Sequence, residues 1–157
     1  MATSKEIKKT FLDELKNAVG TQVDTQNIRL ATNTKDVELP SLLYDDFKNT
    51  GRTFLEEVTK DADGNIVSKT YNQFITILFD VIVASESEGE KEDLVDDIRE
   101  HFNRYEMWLD PIDFHSSCRY VTVENTNNSD VTLNTEITRG ERIRIEVQFV
   151  KSQTRQL

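Results

Sequence analysis

Apolar positions along the chain switch between a helical and an extended period, and the switches divide it into segments. Ile7, Phe11 and Leu15 recur at helical intervals, with Ala18 continuing the stripe. Thr3 and Glu6 stand in capping-box spacing and Gly20 supplies a stop, so residues 4–19 are expected to form an amphipathic helix with a solvated charged back. Residues 21–50 are less regular. "NIRLATN" reads as a short strand, and Pro40 in "VELPSLLYDDF" punctuates another extended piece.

The middle of the chain alternates. "RTFLEEVTK" is extended, and "NIVSKTYNQFITILFDVIVAS" follows it. Ile75, Ile77, Phe79, Val81 and Val83 share one face at a period of two, while Phe74, Thr76, Leu78, Asp80 and Ile82 form a more mixed opposite face. Such a run exceeds the usual ~3–10 residues of a strand, so it is expected to bend or to project as a long β-hairpin arm over about 52–84.

"SESEGEKEDLVDDIREHF" then carries Ser87 and Glu90 in capping-box spacing and an apolar stripe of Leu94, Val95, Ile98 and Phe102. Its acids crowd the first turns, where they complement the helix dipole. "SSCRYVTVEN", the polar "NTNNSD", "VTLNTEIT" and "RGERIRIEVQFVK" follow as strands and turns. In the last, Ile143, Ile145, Val147 and Phe149 point inward, with Arg142, Arg144, Glu146 and Gln148 outward. Residues 151–157 are expected to be a flexible tail. The order implies one α+β domain over 1–157, a mostly antiparallel sheet with two amphipathic helices on one face.

"KDADGNIV", Lys60 to Val67, superficially resembles a calcium loop, because Asp61, Asp63 and Asn65 alternate around Gly64. An EF-hand loop needs Gly at its sixth position and a bidentate Glu at its twelfth. Counting from Asp61, those positions hold Ile66 and Asn72, and the flanks read as strands. Asp-Gly between extended segments is a hairpin signal. The motif is read as a turn.

Composition narrows the chemistry. The 157 residues suffice for a core without a metal or disulfide staple, and the single Cys118 excludes an internal disulfide. The net charge of −10, from 29 acidic and 19 basic residues, disfavours sequence-independent binding to nucleic acid. The start carries lysines and acids where a signal peptide would be apolar, and no stretch approaches the ~18 apolar residues of a membrane-spanning helix. A soluble protein made without secretion is expected.

No catalytic constellation emerges. Asp110, Asp113, His115 and Cys118 match no metal-ligand spacing, and the aromatics around them read as core anchors. His101 reads as a partly buried or surface histidine. The acid pairs Glu56–Glu57, Asp45–Asp46 and Asp96–Asp97 diverge on a regular element and read as solvated. Five scattered glycines make no phosphate loop. Arg139, Arg142 and Arg144 are interrupted by Glu141 and Glu146, which suggests cross-strand or intersubunit ion pairs. No enzyme activity and no cofactor or metal are expected.

The segment "NQFITILFDVIVASESEGEKEDLVDDIREHF" followed by "RGERIRIEVQFVK" resembles the tail terminator and tail completion proteins of tailed phages and archaeal tailed viruses. The likeness lies in the order, lengths and patterning of elements over most of residues 4–150, including the proline-punctuated piece at "VELPSLLYDDF". It implies a structural virion protein of the neck that forms a homo-oligomeric ring, usually of six copies, at the head-proximal end of the tail tube. Such a ring stops tube growth and joins tail to head. Its partners would be the tail tube protein and the head–tail connector protein, with DNA passing through the channel without specific binding and no membrane involved. The hairpin tip, Lys60, Asp61, Asp63 and Asn65, and the outward Arg142 and Arg144 are then the candidate interface. Another neck or baseplate ring component, or a non-viral α+β protein-binding module, would share the same pattern.

Overall fold

The structure, a computed structural model, describes residues 4–45, 48–103, 118–128, 130–134 and 136–157. Helix α1, Ser4–Val19, forms where the periodicity places it. Ile7, Phe11, Leu15 and Val19 are buried along its inner face, with Leu12 and Ala18 partly buried beside them. Gly20 follows at φ +57°, the left-handed conformation in which glycine ends helices at little cost.

Helix α2, Glu88–Asn103, begins with a capping network. The Glu90 N–H donates to Ser87 Oγ at 3.1 Å, as the spacing predicts. The Glu90 carboxylate turns instead to the hydroxyl of Ser85, and Ser85 Oγ accepts the Ser87 N–H at 3.2 Å. Lys91 joins Leu94, Val95, Ile98 and Phe102 on the buried face, extending the apolar stripe with a charge. Its ammonium reaches Glu88 at 2.8 Å. That hydrogen bond outweighs desolvation and holds the Glu88 carboxyl below its ordinary range. The stabilisation is therefore present at neutral pH and is lost only as pH falls through the lowered value.

The strands are β1 (Ile28–Leu30), β2 (Ser41–Tyr44), β3 (Lys48–Lys60), β4 (Ile66–Ala84), β5 (Cys118–Asn128), β6 (Val131–Leu133), β7 (Glu136–Thr138) and β8 (Gly140–Gln156). The main sheet runs β1-β2-β4-β8-β5, with β3 also on β4. All its pairings are antiparallel except β1 with β2. β4 and β8 pair without a register shift from Ser68↔Gln156 to Ala84↔Gly140. β6 and β7 make a separate small hairpin that turns at Asn134, φ +51°. "VTLNTEIT" is thus two short strands.

Ile75, Ile77, Phe79, Val81 and Val83 of β4 and Ile143, Ile145 and Val147 of β8 are buried in one cluster with both helices. Phe11 stacks on Phe79 at 4.0 Å between ring centres and meets Phe102 at 5.5 Å. The domain is therefore α+β, with two amphipathic helices against one face of a mostly antiparallel sheet. A smaller cluster, Val37, Leu43, Ile82, Ala84 and Leu133, lies under β6–β7 on the opposite face.

Two expectations change. Residues 151–156 are not a loose tail, because β8 continues through them in register with β4. For the same reason the hairpin over 52–84 is not a free two-stranded arm. β3, β4 and β8 form a three-stranded ribbon, since β8 is long enough to accompany β4 almost to the turn. Backbone pairing extends the strand there, although "KSQTRQ" has no apolar alternation to announce it.

Ile77 and Val147 pair directly and are both buried, so Ile77→Asp or Val147→Asp places a carboxylate in the core. Each forfeits roughly 1.5–3 kcal/mol of side-chain burial and adds an unpaired charge. Loss of the cooperative melt in circular dichroism is the expected outcome for either variant.

Candidate functional site

The turn joining β3 to β4 is held by Asp61. Its Oδ1 accepts the N–H groups of Asp63 and Asn65, each at 2.9 Å, while its own N–H donates to the Asn65 carbonyl at 2.9 Å. Gly64, at φ +85° and donating its N–H to the Asp61 carbonyl, completes the reversal. The carboxylate is thus spent on backbone donors, as an Asx turn requires. Lys60, Asp63 and Asn65 stand exposed around it. The turn reading accounts for Asp61 and Gly64.

Arg142 and Arg144 lie elsewhere. Arg144 is directly opposite Asp80 in the β4–β8 ladder, and its guanidinium grips that carboxylate through two bonds of 2.9 and 3.2 Å. The pairing raises the Arg144 pKa further above its ordinary value, so it stays charged throughout the working range. Arg142 bonds Asp45 at 3.1 Å and lies 3.7 Å from Asp80. Asp80 is only 7% exposed, and these cross-strand cations compensate its burial. Beside them opens a shallow groove of ≈ 260 Å³ between Leu43, Ile82, Leu133 and Arg142. The turn and the arginines are separated by roughly 45 Å of strand at ~3.3 Å per residue. The structure does not unite the six candidate residues in one site.

Apolar side chains on the ribbon are the feature that the sequence reading passed over. Leu55, Val58, Ile66, Val67, Tyr71 and Leu157 are all exposed there. Sheet registers place Val58, Val67, Tyr71 and Leu157 on the helix-bearing face, beyond the buried stretch that begins at Ile75. β3 pairs only with β4, and β8 pairs with β5 only as far as Phe149. Among the described residues, the outer edges of β3 and of β8 beyond Phe149 therefore have no strand neighbour. The sequence signal was the apolar residues within "FLEEV" and "NIV", too sparse to read as a core stripe.

The remaining candidates serve the fold or lie outside the described residues. His101 Nε2 meets the Glu14 carboxylate at 2.7 Å and ties α2 to α1. Arg139 pairs with Glu88 at 3.3 Å, Glu56 with Lys69 at 3.5 Å, and Asp97 accepts a bond from Gln22 at 2.9 Å. Asp46, Asp110, Asp113 and His115 lie outside the described residues, as does the side chain of Cys118. Among the described residues no three His, Cys, Asp or Glu side chains are grouped to hold a metal ion.

Calorimetric titration with calcium should give no saturable heat tighter than about 10⁻⁵ M. Asp61→Ala should cost about 1 kcal/mol through its two lost acceptor bonds, whether calcium is present or not. Asp80→Ala should lower stability by about 2 kcal/mol in urea unfolding, discounted because its arginine partners are a third exposed and can rehydrate. Arg142→Ala, which leaves the Arg144 pair in place, should cost less than half as much. Equal losses would contradict Asp80 as the centre of the cluster.

No protein-family model matches the chain, and no curated protein matches it.

Proposed function

We propose that this protein is a structural subunit of a tailed virus particle, forming a ring at the head-proximal end of the tail tube. The ring would end tube growth and join the tube to the head connector, with tail tube and connector proteins as its partners. The reading rests on the resemblance in element order, and one observation supports it most. β4 runs for 19 residues and passes through the short capped link at Ser85–Ser87 directly into the amphipathic α2, while β8 accompanies it along the sheet. A ribbon with exposed apolar side chains and, among the described residues, no strand on its outer edges suits a subunit completed by neighbours. The net charge of −10 suits a channel that DNA crosses without adhering, because acidic walls repel phosphates. No helix among the described residues is long and apolar enough to cross a membrane.

Electron microscopy of the purified protein should show rings with a central hole, and gold-labelled antibody should mark the neck of intact particles. A monomer in light scattering at every concentration, with unlabelled particles, would instead favour a monomeric protein-binding module.

A further inference from the structure

The two edges of the ribbon that have no strand neighbour among the described residues differ in character. β3 presents Leu55, Glu56, Glu57 and Val58, all exposed. The distal part of β8 presents Ser152 to Gln156 and is followed by Leu157, which is 65% exposed. Arg155 has no ion pair among the described residues and lies directly opposite Lys69, a like-charge arrangement that weakens a ladder. Glu56 reaches Lys69 from the other side at 3.5 Å but belongs to the far strand of the ribbon. The β8 edge thus offers an unpaired cation followed two residues later by an apolar side chain. The β3 edge offers an anion followed two residues later by an apolar side chain.

We propose that the β3 edge of one copy pairs with the distal β8 edge of the next, in the register Glu56 beside Arg155 and Val58 beside Leu157. This deepens the ring reading, on which its closure rests, by naming the edges that join. β3 and β8 are both antiparallel to β4, hence parallel to each other. A rotation carrying one edge onto the other preserves strand direction and faces, so the new ladder is parallel. Glu56, Val58 and Arg155 lie on one face of the ribbon, through their pairings with Tyr71 and Lys69, and Leu157 lies on the same face through Val67. Both contacts therefore form on a single side of the joined sheet.

Within one copy Val58 and Arg155 are level, each opposite Lys69. The proposed register therefore offsets neighbours by two residues, the kind of stagger that a closed array of tilted strands requires. Charge selects this contact over a two-fold one. A two-fold β3–β3 pairing centred on Glu56 or on Glu57 would set that glutamate against its own copy on the same face, and like charges directly opposite are unfavourable. The join is head-to-tail, which generates a ring when the rotation closes.

The test uses disulfide capture in a Cys118→Ser background. Val58 and Leu157 lie on strands separated by β4, about 10 Å apart, so cysteines at these positions cannot bridge within one chain. Val58→Cys and Leu157→Cys should each remain uncrosslinked alone and give a disulfide dimer when mixed. The double variant should give a ladder that stops at the ring size. Glu56→Lys or Arg155→Glu should weaken self-association about fivefold or more, and the combined swap should restore it. A purely intrachain role makes the opposite forecast for Arg155→Glu, because the new carboxylate would relieve the repulsion at Lys69.

Homodimers of Val58→Cys, or rings that form without the Val58–Leu157 disulfide, would overturn the edge assignment while leaving the ring reading intact. Crosslinked open filaments would support the edge contact and overturn the ring. A monomer with no crosslink at any concentration would overturn both.

Discussion

The uninterrupted pairing of β4 with β8 is the constraint on which the rest depends. Its register runs without a shift from Ser68↔Gln156 to Ala84↔Gly140. At one end it aligns the inward faces of both strands into a single apolar surface, which the two helices cover. At the other end the same hydrogen bonds carry both strands beyond Ile75 and Val147, where the described residues add no buried apolar side chain. One ladder thus serves a core and an extension with different physics. Burial drives the first, and backbone pairing supported by cross-strand contacts such as Thr70 with Thr154 maintains the second.

This division explains where charge is placed. Asp80 can be buried because the ladder sets Arg144 directly opposite and brings Arg142 near. Lys91 can be buried because Glu88 lies one helical turn before it. Both groups are paired, as the cost of an isolated buried charge demands. Farther along the ribbon solvent lowers that cost, and among the described residues Arg155 stands opposite Lys69 without a carboxylate partner. The core compensates Asp80 and Lys91 within the chain.

Legibility in the sequence followed the same line. Where one face is buried, residue pattern and structure agree. Ile143, Ile145 and Val147 alternate as a strand, Leu94 to Phe102 trace a helical stripe, and residues 4–19 match α1. Asp61 to Asn65 were readable as a turn because Asp and Gly chemistry is local. Beyond the core the pattern loses its cause, so nothing in "KSQTRQ" separates a strand from a tail. Lys91 was missed because lysine is normally polar surface, and Asp80 because its partner lies 64 residues away. Which strand edges lack a neighbour among the described residues is set by topology and could not be read from composition. The six candidate interface residues fall at two separate places on the sheet, a separation that only the strand register reveals.

Amide hydrogen exchange along the ribbon, followed in dilute and concentrated protein, tests the central claim most directly. Amides of β4 bonded to β3 or β8 should be protected at both concentrations, because the spine is a property of one chain. The outward amides of β3 near Glu56 and Val58 should exchange freely when dilute and become protected when concentrated. Protection of those amides at every dilution, or free exchange throughout the ribbon including β4, would contradict an intrachain spine with edges open to another copy.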